Sequence, residues 1–167
     1  MKRLIIIVEG DTEKEFVDTV LCPYFSIKNI HDISCFKIKH SRGGLSKYSH
    51  LKIDILNCIH QSNVIVTSLI DFYALPKDFP KYEESKNINN KIEKVEFLEL
   101  SIKKEIEESQ NQKFNNLIPY IQLHEFEALI FSSLNGFNIY ESSKINKIEI
   151  KKIFEKYQNP EDILNRL

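Results

Sequence analysis

Leu4-Ile5-Ile6-Ile7-Val8-Glu9-Gly10-Asp11 is a short apolar run, rich in β-branched residues, that ends abruptly in acid, glycine, acid. A run of this length and composition reads as a parallel strand buried on both faces. The following Thr12-Glu13-Lys14-Glu15 reads as a capping box, in which Thr12 caps the first helical turn and Glu15 reaches back to it. A central strand therefore ends, turns at Gly10 and enters a helix. Open α/β sheets bind ligands at that place, outside the carboxyl ends of their strands. Asp11 and Glu15 read as helix-start residues that stabilise the first turn. Glu9 is different, because it follows Val8 directly and precedes the glycine. A carboxylate there is placed to hold a metal ion or to move a proton.

The 167 residues suit one domain with a full core. With 42% hydrophobic and 28% charged residues, the composition is that of a globular soluble protein. No apolar stretch approaches the ~20 residues that span a bilayer, so no membrane partner is expected. The basic pair Lys2-Arg3 precedes an apolar run too short for a signal peptide. Cys22, Cys35 and Cys58 lack metal-type spacing and lie in apolar contexts, which reads as buried free thiols in a reducing cytoplasm. A net charge of −1 argues against a broad basic face for nucleic acid, while leaving room for a local groove.

Moving outward from the first strand, Phe16, Val17, Val20, Leu21 and Tyr24 share a helical face, and Pro23 should kink or stop that helix. Ile33 to Lys39 alternates as a strand nearer the sheet edge. His40-Ser41-Arg42-Gly43-Gly44 follows. Its glycines permit positive φ and close backbone approach, and with Arg42 and Lys47 it reads equally as a phosphate cradle or a plain turn. Tyr48, Leu51, Ile55 and Ile59 mark the next helix. Val64 to Ile70 is a second continuous apolar strand, tipped by Asp71. Neighbouring strands lie ~4.8 Å apart, so Glu9 and Asp71 can share one divalent cation if their strands are adjacent.

Residues 74–91, with two prolines, are long for a connection and suit a lid or binding loop. Phe72, Tyr73, Phe79 and Tyr82, interleaved with Lys77 and Lys81, read either as base-stacking and phosphate contacts or as packing anchors. Ile92, Val95, Leu98, Ile102 and Ile106 mark an amphipathic helix. Leu117 to Leu123 is a strand with Pro119 inside it, which suggests an edge position or a bulge. It runs into His124-Glu125-Phe126-Glu127, where His124 and Glu127 would share a helical face. Two histidines four apart are missing, so zinc is not expected; carboxylate oxygens suit Mg²⁺ or Mn²⁺. The alternative is a polar helix start. The division expected is an α/β domain over 1–134 and a helical extension over 135–167. The segment beginning Asn159-Pro160-Glu161-Asp162 would be too short to stand as a helix alone, so it packs on something else or is truncated.

Taken in order, Val8-Glu9-Gly10-Asp11-Thr12-Glu13, Gly43-Gly44, Ile70-Asp71-Phe72-Tyr73 with Leu75-Pro76, and His124-Glu125-Phe126-Glu127-Ala128-Leu129 resemble the bacterial family catalogued as domain of unknown function 4276. Members of that family tend to continue past the Asn-Pro-Glu segment with a basic stretch. The family is similar to the Toprim fold of topoisomerases, primases and the nucleases paired with ABC-type ATPases in phage defence. The resemblance implies a Toprim-like (Rossmann-like), mainly parallel four-stranded sheet flanked by helices. It implies Glu9 as general acid or base and Asp71 as a Mg²⁺ ligand. Tyr73 stands where a second metal-binding aspartate is expected, leaving Glu125 or Glu127 to complete the shell. Catalysis is thus assigned to Glu9, Asp71, Glu125 and Glu127, and metal binding to Glu9, Asp71 and Glu127. Gly10, Arg42, Gly43, Gly44, Lys47, Tyr73 and His124 would contact substrate.

The function expected is a Mg²⁺- or Mn²⁺-dependent nuclease acting on DNA or RNA. Its partner would be an ABC-type or AAA ATPase in a homo- or hetero-oligomer of an anti-phage module. The alternative is a non-catalytic regulatory or sensor subunit of that ATPase. A nucleotide-binding phosphotransferase is weaker, since no Walker-type loop is present.

Overall fold

Arg3–Val8 forms the strand its β-branched run predicts, β1, and it lies inside the sheet. The computed structural model describes residues 2–39 and 44–123. After β1 come α1 (Asp11–Phe16), a π-helical turn (Val17–Leu21), α2 (Cys22–Ile27), β2 (Ile33–Lys37) and α3 (Tyr48–Ile59). Then follow β3 (Val64–Asp71), a 3₁₀ turn (Phe72–Ala74), α4 (Tyr82–Ser85), α5 (Lys91–Gln110), β4 (Leu117–Ile118) and β5 (Ile121–Gln122). The strands lie in the order β2-β1-β3-β4, with β5 also on β3, and every pairing is parallel. Parallel neighbours require helical crossovers, which gives the α/β, Rossmann-like layout expected. Among the described residues β2 pairs only with β1, the edge position expected.

The expected fourth strand is split into β4 and β5. Pro119 has no N–H to give to a ladder. In the gap, the Ser68 hydroxyl donates to the Tyr120 carbonyl at 2.9 Å and accepts from the Tyr120 N–H at 3.0 Å. Pairing with β3 then resumes, with Ile70 opposite Ile121.

Ile5, Ile7, Val64, Val66 and Ile70 put one sheet face against Leu51 and Ile55 of α3 and Leu98, Ile102 and Ile106 of α5. Between these two helices the Tyr48 hydroxyl donates to Glu105 at 2.7 Å, and Lys52 adds an ion pair at 2.5 Å. Pro23 does not stop the first helical stretch, which continues through it. Its ring would crowd the carbonyl four residues back, so the chain widens to a π turn in which the Cys22 N–H bonds the Val17 carbonyl.

Residues 74–91 are an anchored crossing. Leu75 and Phe79 are buried, and Phe79 meets Tyr48 edge-on at 5.1 Å between centroids. The packing reading thus holds for Phe79. Of the three thiols only Cys58 is buried; Cys22 and Cys35 are half-buried, because they belong to the peripheral α2 and β2. Burial still pushes the Cys35 thiol up to about 12. No helix among the described residues is long and apolar enough to cross a membrane. This compact unit closes at Leu123, and the expected boundary after residue 134 lies outside the described residues.

Candidate functional site

Because β2 and β3 flank β1 on opposite sides, the connections leaving β1 and β3 part at their carboxyl ends. That crevice is where doubly wound sheets hold ligands. Glu9 sits in it, only 9% exposed. Its Oε1 accepts the Leu45 N–H at 2.8 Å, and its Oε2 accepts the Asp71 N–H at 3.4 Å. Among the described residues no cation pairs with it.

The turn from β2 to α3 is tied at both ends by buried carboxylates. Asp54 of α3, 1% exposed, accepts the Lys39 N–H at 2.7 Å at the near end, and Glu9 holds Leu45 at the far end. Gly44 makes the close approach possible. Its φ is +97°, and a Cβ there would stand 3.2 Å from Glu9 Oε1. His40, Ser41, Arg42 and Gly43 lie outside the described residues. Lys47 is exposed as the N-cap of α3. The first N–H of that helix, on Tyr48, is already met by the Asp78 carboxylate at 3.1 and 3.2 Å. The chain itself therefore supplies the anion that a phosphate cradle at this helix start would need.

The helix starts two residues earlier than the Thr12–Glu15 box expected, and only the glutamate half of a capping box forms, since glycine has no side chain. Gly10 is the N-cap of α1, and its N–H donates to Glu13 Oε2 at 2.9 Å. Both registers satisfy the spacing rule, and this one buries Glu13, which is 8% exposed, while leaving Glu15 in solvent. Asp11 stands outside the site and pairs with Lys37 at 2.7 Å.

Asp71 ends β3 beside Glu9, as expected, but the strand pleat turns the two apart. Val8 pairs with Leu69, so Glu9 continues the Ile5–Ile7 face and Asp71 the Ile65–Thr67–Leu69 face. It is the Asp71 backbone that reaches Glu9, and the two side chains come to the shared edge from its two sides. Tyr73, two residues on, is 50% exposed, and its hydroxyl accepts from Lys91 Nζ at 2.8 Å. Among the described residues no three His, Cys, Asp or Glu side chains gather for a metal. His124, Glu125 and Glu127 lie outside the described residues.

Sequence reasoning passed over Asp54, Asp78 and Lys91. Asp54 had a signal, an acid on the apolar stripe of Leu51, Ile55 and Cys58. Asp78 and Lys91 had none, since each meets its partner only through the fold.

The family model described as Domain of unknown function (DUF4276) matches residues 8–166. No curated protein and no solved structure matches the chain significantly.

Proposed function

This chain belongs to the DUF4276 family, and on that premise we propose that it is a metal-dependent nuclease. It would hydrolyse phosphodiester bonds in DNA or RNA within a bacterial anti-phage module, in partnership with an ABC-type ATPase. The observation that carries this reading is Glu9, a buried carboxylate at the switch point whose partners among the described residues are N–H dipoles, beside Asp71 on the adjacent strand. A glutamate after the first strand and an aspartate after the third is also the arrangement that a Toprim likeness implies.

The donor chemistry suits Mg²⁺ or Mn²⁺. Carboxylate oxygens are hard ligands, and each Glu9 oxygen keeps a lone pair beyond the one used on a backbone N–H. Glu9 and Asp71 would hold the ion, with Glu127 as the third ligand. Once bound, it would polarise the phosphoryl oxygen and stabilise the leaving oxygen. Glu9 accepts the proton of the attacking water, and the Leu45 and Asp71 N–H groups fix its carboxylate for that step. Arg42, which lies outside the described residues, would clamp a phosphate oxygen. Gly44 lets the backbone pass close to Glu9.

The test uses the full chain, with and without its ATPase, Mg²⁺ or Mn²⁺, and labelled DNA and RNA. Glu9→Gln keeps shape but accepts no proton, and should lose at least ~10²-fold in cleavage. Asp71→Asn should weaken Mn²⁺ binding in a calorimetric titration. Equal cleavage by wild type and Glu9→Gln would sink the assignment.

One observation favours a second reading, a non-catalytic regulatory or sensor subunit. Tyr73, bonded to Lys91, stands where a second acid is expected. If wild type cleaves neither substrate with the ATPase present, yet changes the rate of ATP hydrolysis, this reading takes over.

A further inference from the structure

Between α5 and β4 the surface forms a groove of about 370 Å³, walled by Glu96, Leu100 and Lys103 on the helix and by Ile118 and Pro119 on the strand side. Its apolar residues face water: Leu100 is 57% exposed and Ile118 55%. A single exposed leucine needs no explanation, but two large aliphatic side chains that wall one groove do. Glu96, Leu100 and Lys103 stand four and three residues apart, so they share one face of α5. Leu100 is the tenth of the twenty residues of that helix, with the acid one turn before it and the base one turn after. Neither Glu96 nor Lys103 has an ion pair among the described residues, whereas Glu105 and Glu107 of the same helix pair with Lys52 and Lys113.

We infer that this face of α5 is the interface of a symmetric dimer, with a second copy of this chain as the partner. A two-fold contact sets one patch against itself, so the patch must be self-complementary. This one is. Turned end for end about an axis near Leu100, α5 lays its Glu96 against the Lys103 of the second copy, and its Lys103 against that copy's Glu96. Both unpaired charges are then paired, and each Leu100 enters the other copy's groove beside Ile118. Because the axis passes the middle of the helix, the two helices can meet along their length. An extended peptide added to the sheet edge would be poorly held there, since strand addition draws on backbone hydrogen bonds. The Leu117, Tyr120 and Ile121 N–H groups are taken by the Phe114 carbonyl, the Ser68 hydroxyl and the Glu99 carboxylate, and Pro119 has none to give. What the edge offers is side-chain packing, which suits a helix. The inference stands apart from the nuclease reading, since it uses no residue of the Glu9 edge.

Sedimentation equilibrium on the full chain, from about 1 µM to about 0.5 mM, should show a monomer that passes to a dimer. Leu100→Ala keeps a good helix former on an exposed site and should weaken the dimer about tenfold. Glu96→Lys alone sets lysine against lysine twice, and Lys103→Glu alone sets glutamate against glutamate twice. Each should weaken the dimer at least about tenfold. Mixed in equal amounts, these two variants restore both opposite-charge contacts and should form a heterodimer about as tight as the wild-type dimer. A variant that had merely misfolded would not recover on mixing with another. Three results overturn the interface: a wild type that stays monomeric over the whole range, a dimer indifferent to Leu100→Ala, or no recovery when the two charge variants are mixed.

Discussion

Glu9 and Glu107 are both buried carboxylates that accept backbone N–H groups, one at the carboxyl ends of β1 and β3, the other where α5 leads towards β4. Glu107 takes the Phe114 N–H at 3.0 Å and an ion pair from Lys113 at 2.7 Å. Lys113, ahead of the Phe114 N–H, holds its carboxyl below the ordinary value. Glu9 takes two N–H groups and, among the described residues, no cation. Removing a carboxylate from water is costly unless it is paired and hydrogen-bonded. The Glu107 turn is complete within the chain. At the Glu9 edge the partners among the described residues are N–H dipoles.

The largest effect expected from this contrast is catalytic. Glu9→Gln should lose at least ~10²-fold in phosphodiester cleavage, whereas Glu107→Gln, assayed per folded molecule, should cleave like wild type. Equal losses would mean that both glutamates act only through folding.

Gly44→Ala is expected to destabilise the fold by about 1–2 kcal/mol, because a left-handed φ is strained for alanine and its Cβ would press on Glu9 Oε1. Urea unfolding checks this. An unchanged midpoint would break the link between Glu9 and the turn it closes.

Acid should separate the two glutamates next. The folded Glu107 carboxyl lies below its ordinary 4.5, so its contribution is full above that value and is lost as pH falls through the lower folded value. Glu107→Gln should therefore be less stable than wild type at neutral pH and lose less on acidification, as read from urea midpoints across a pH series. Parallel losses would show that the Lys113 pair contributes nothing.

Glu99 should give the smallest effect, of opposite sign. Burial raises its carboxyl, opposed by the Ile121 N–H that its Oε1 accepts at 2.8 Å. A raised carboxyl means stability that is present in acid and lost as pH rises through the folded value. Glu99→Gln keeps an acceptor for Ile121 and removes the buried charge, so it should be more stable at neutral pH, by less than about 1 kcal/mol on this half-exposed side chain. Lower stability at neutral pH would show that the ionised form is needed to hold β5.

Most of the fold was legible because its signals are local. The runs ending at Val8 and Ile70 read as buried strands, and the periodic stretches after Tyr48 and Ile92 as helices, and the structure has them so. Pro119 announced its break because a missing N–H is a property of the residue. The candidate site was legible in part. The positions of Glu9 and Asp71 at strand ends followed from the strands, but their partners did not. Glu9 meets Leu45 and Asp71 across 36 and 62 residues of chain.

By itself, then, the amino-acid sequence determined the parallel α/β class, the glycine-bearing turn after β2 and the two acids at strand tips. Each depends on apolar period, backbone donors or steric freedom that a residue carries wherever it is placed. Only the tertiary structure decided that β1 lies between β2 and β3, that Glu13 rather than Glu15 closes the first helix, and that Asp54 and Asp78 hold backbone N–H groups of distant segments. It also set the pleat that turns Glu9 and Asp71 to opposite sides of one edge. Strand order and register arise from burying many side chains at once, and a carboxylate's partners are whichever donors that packing brings within hydrogen-bonding reach.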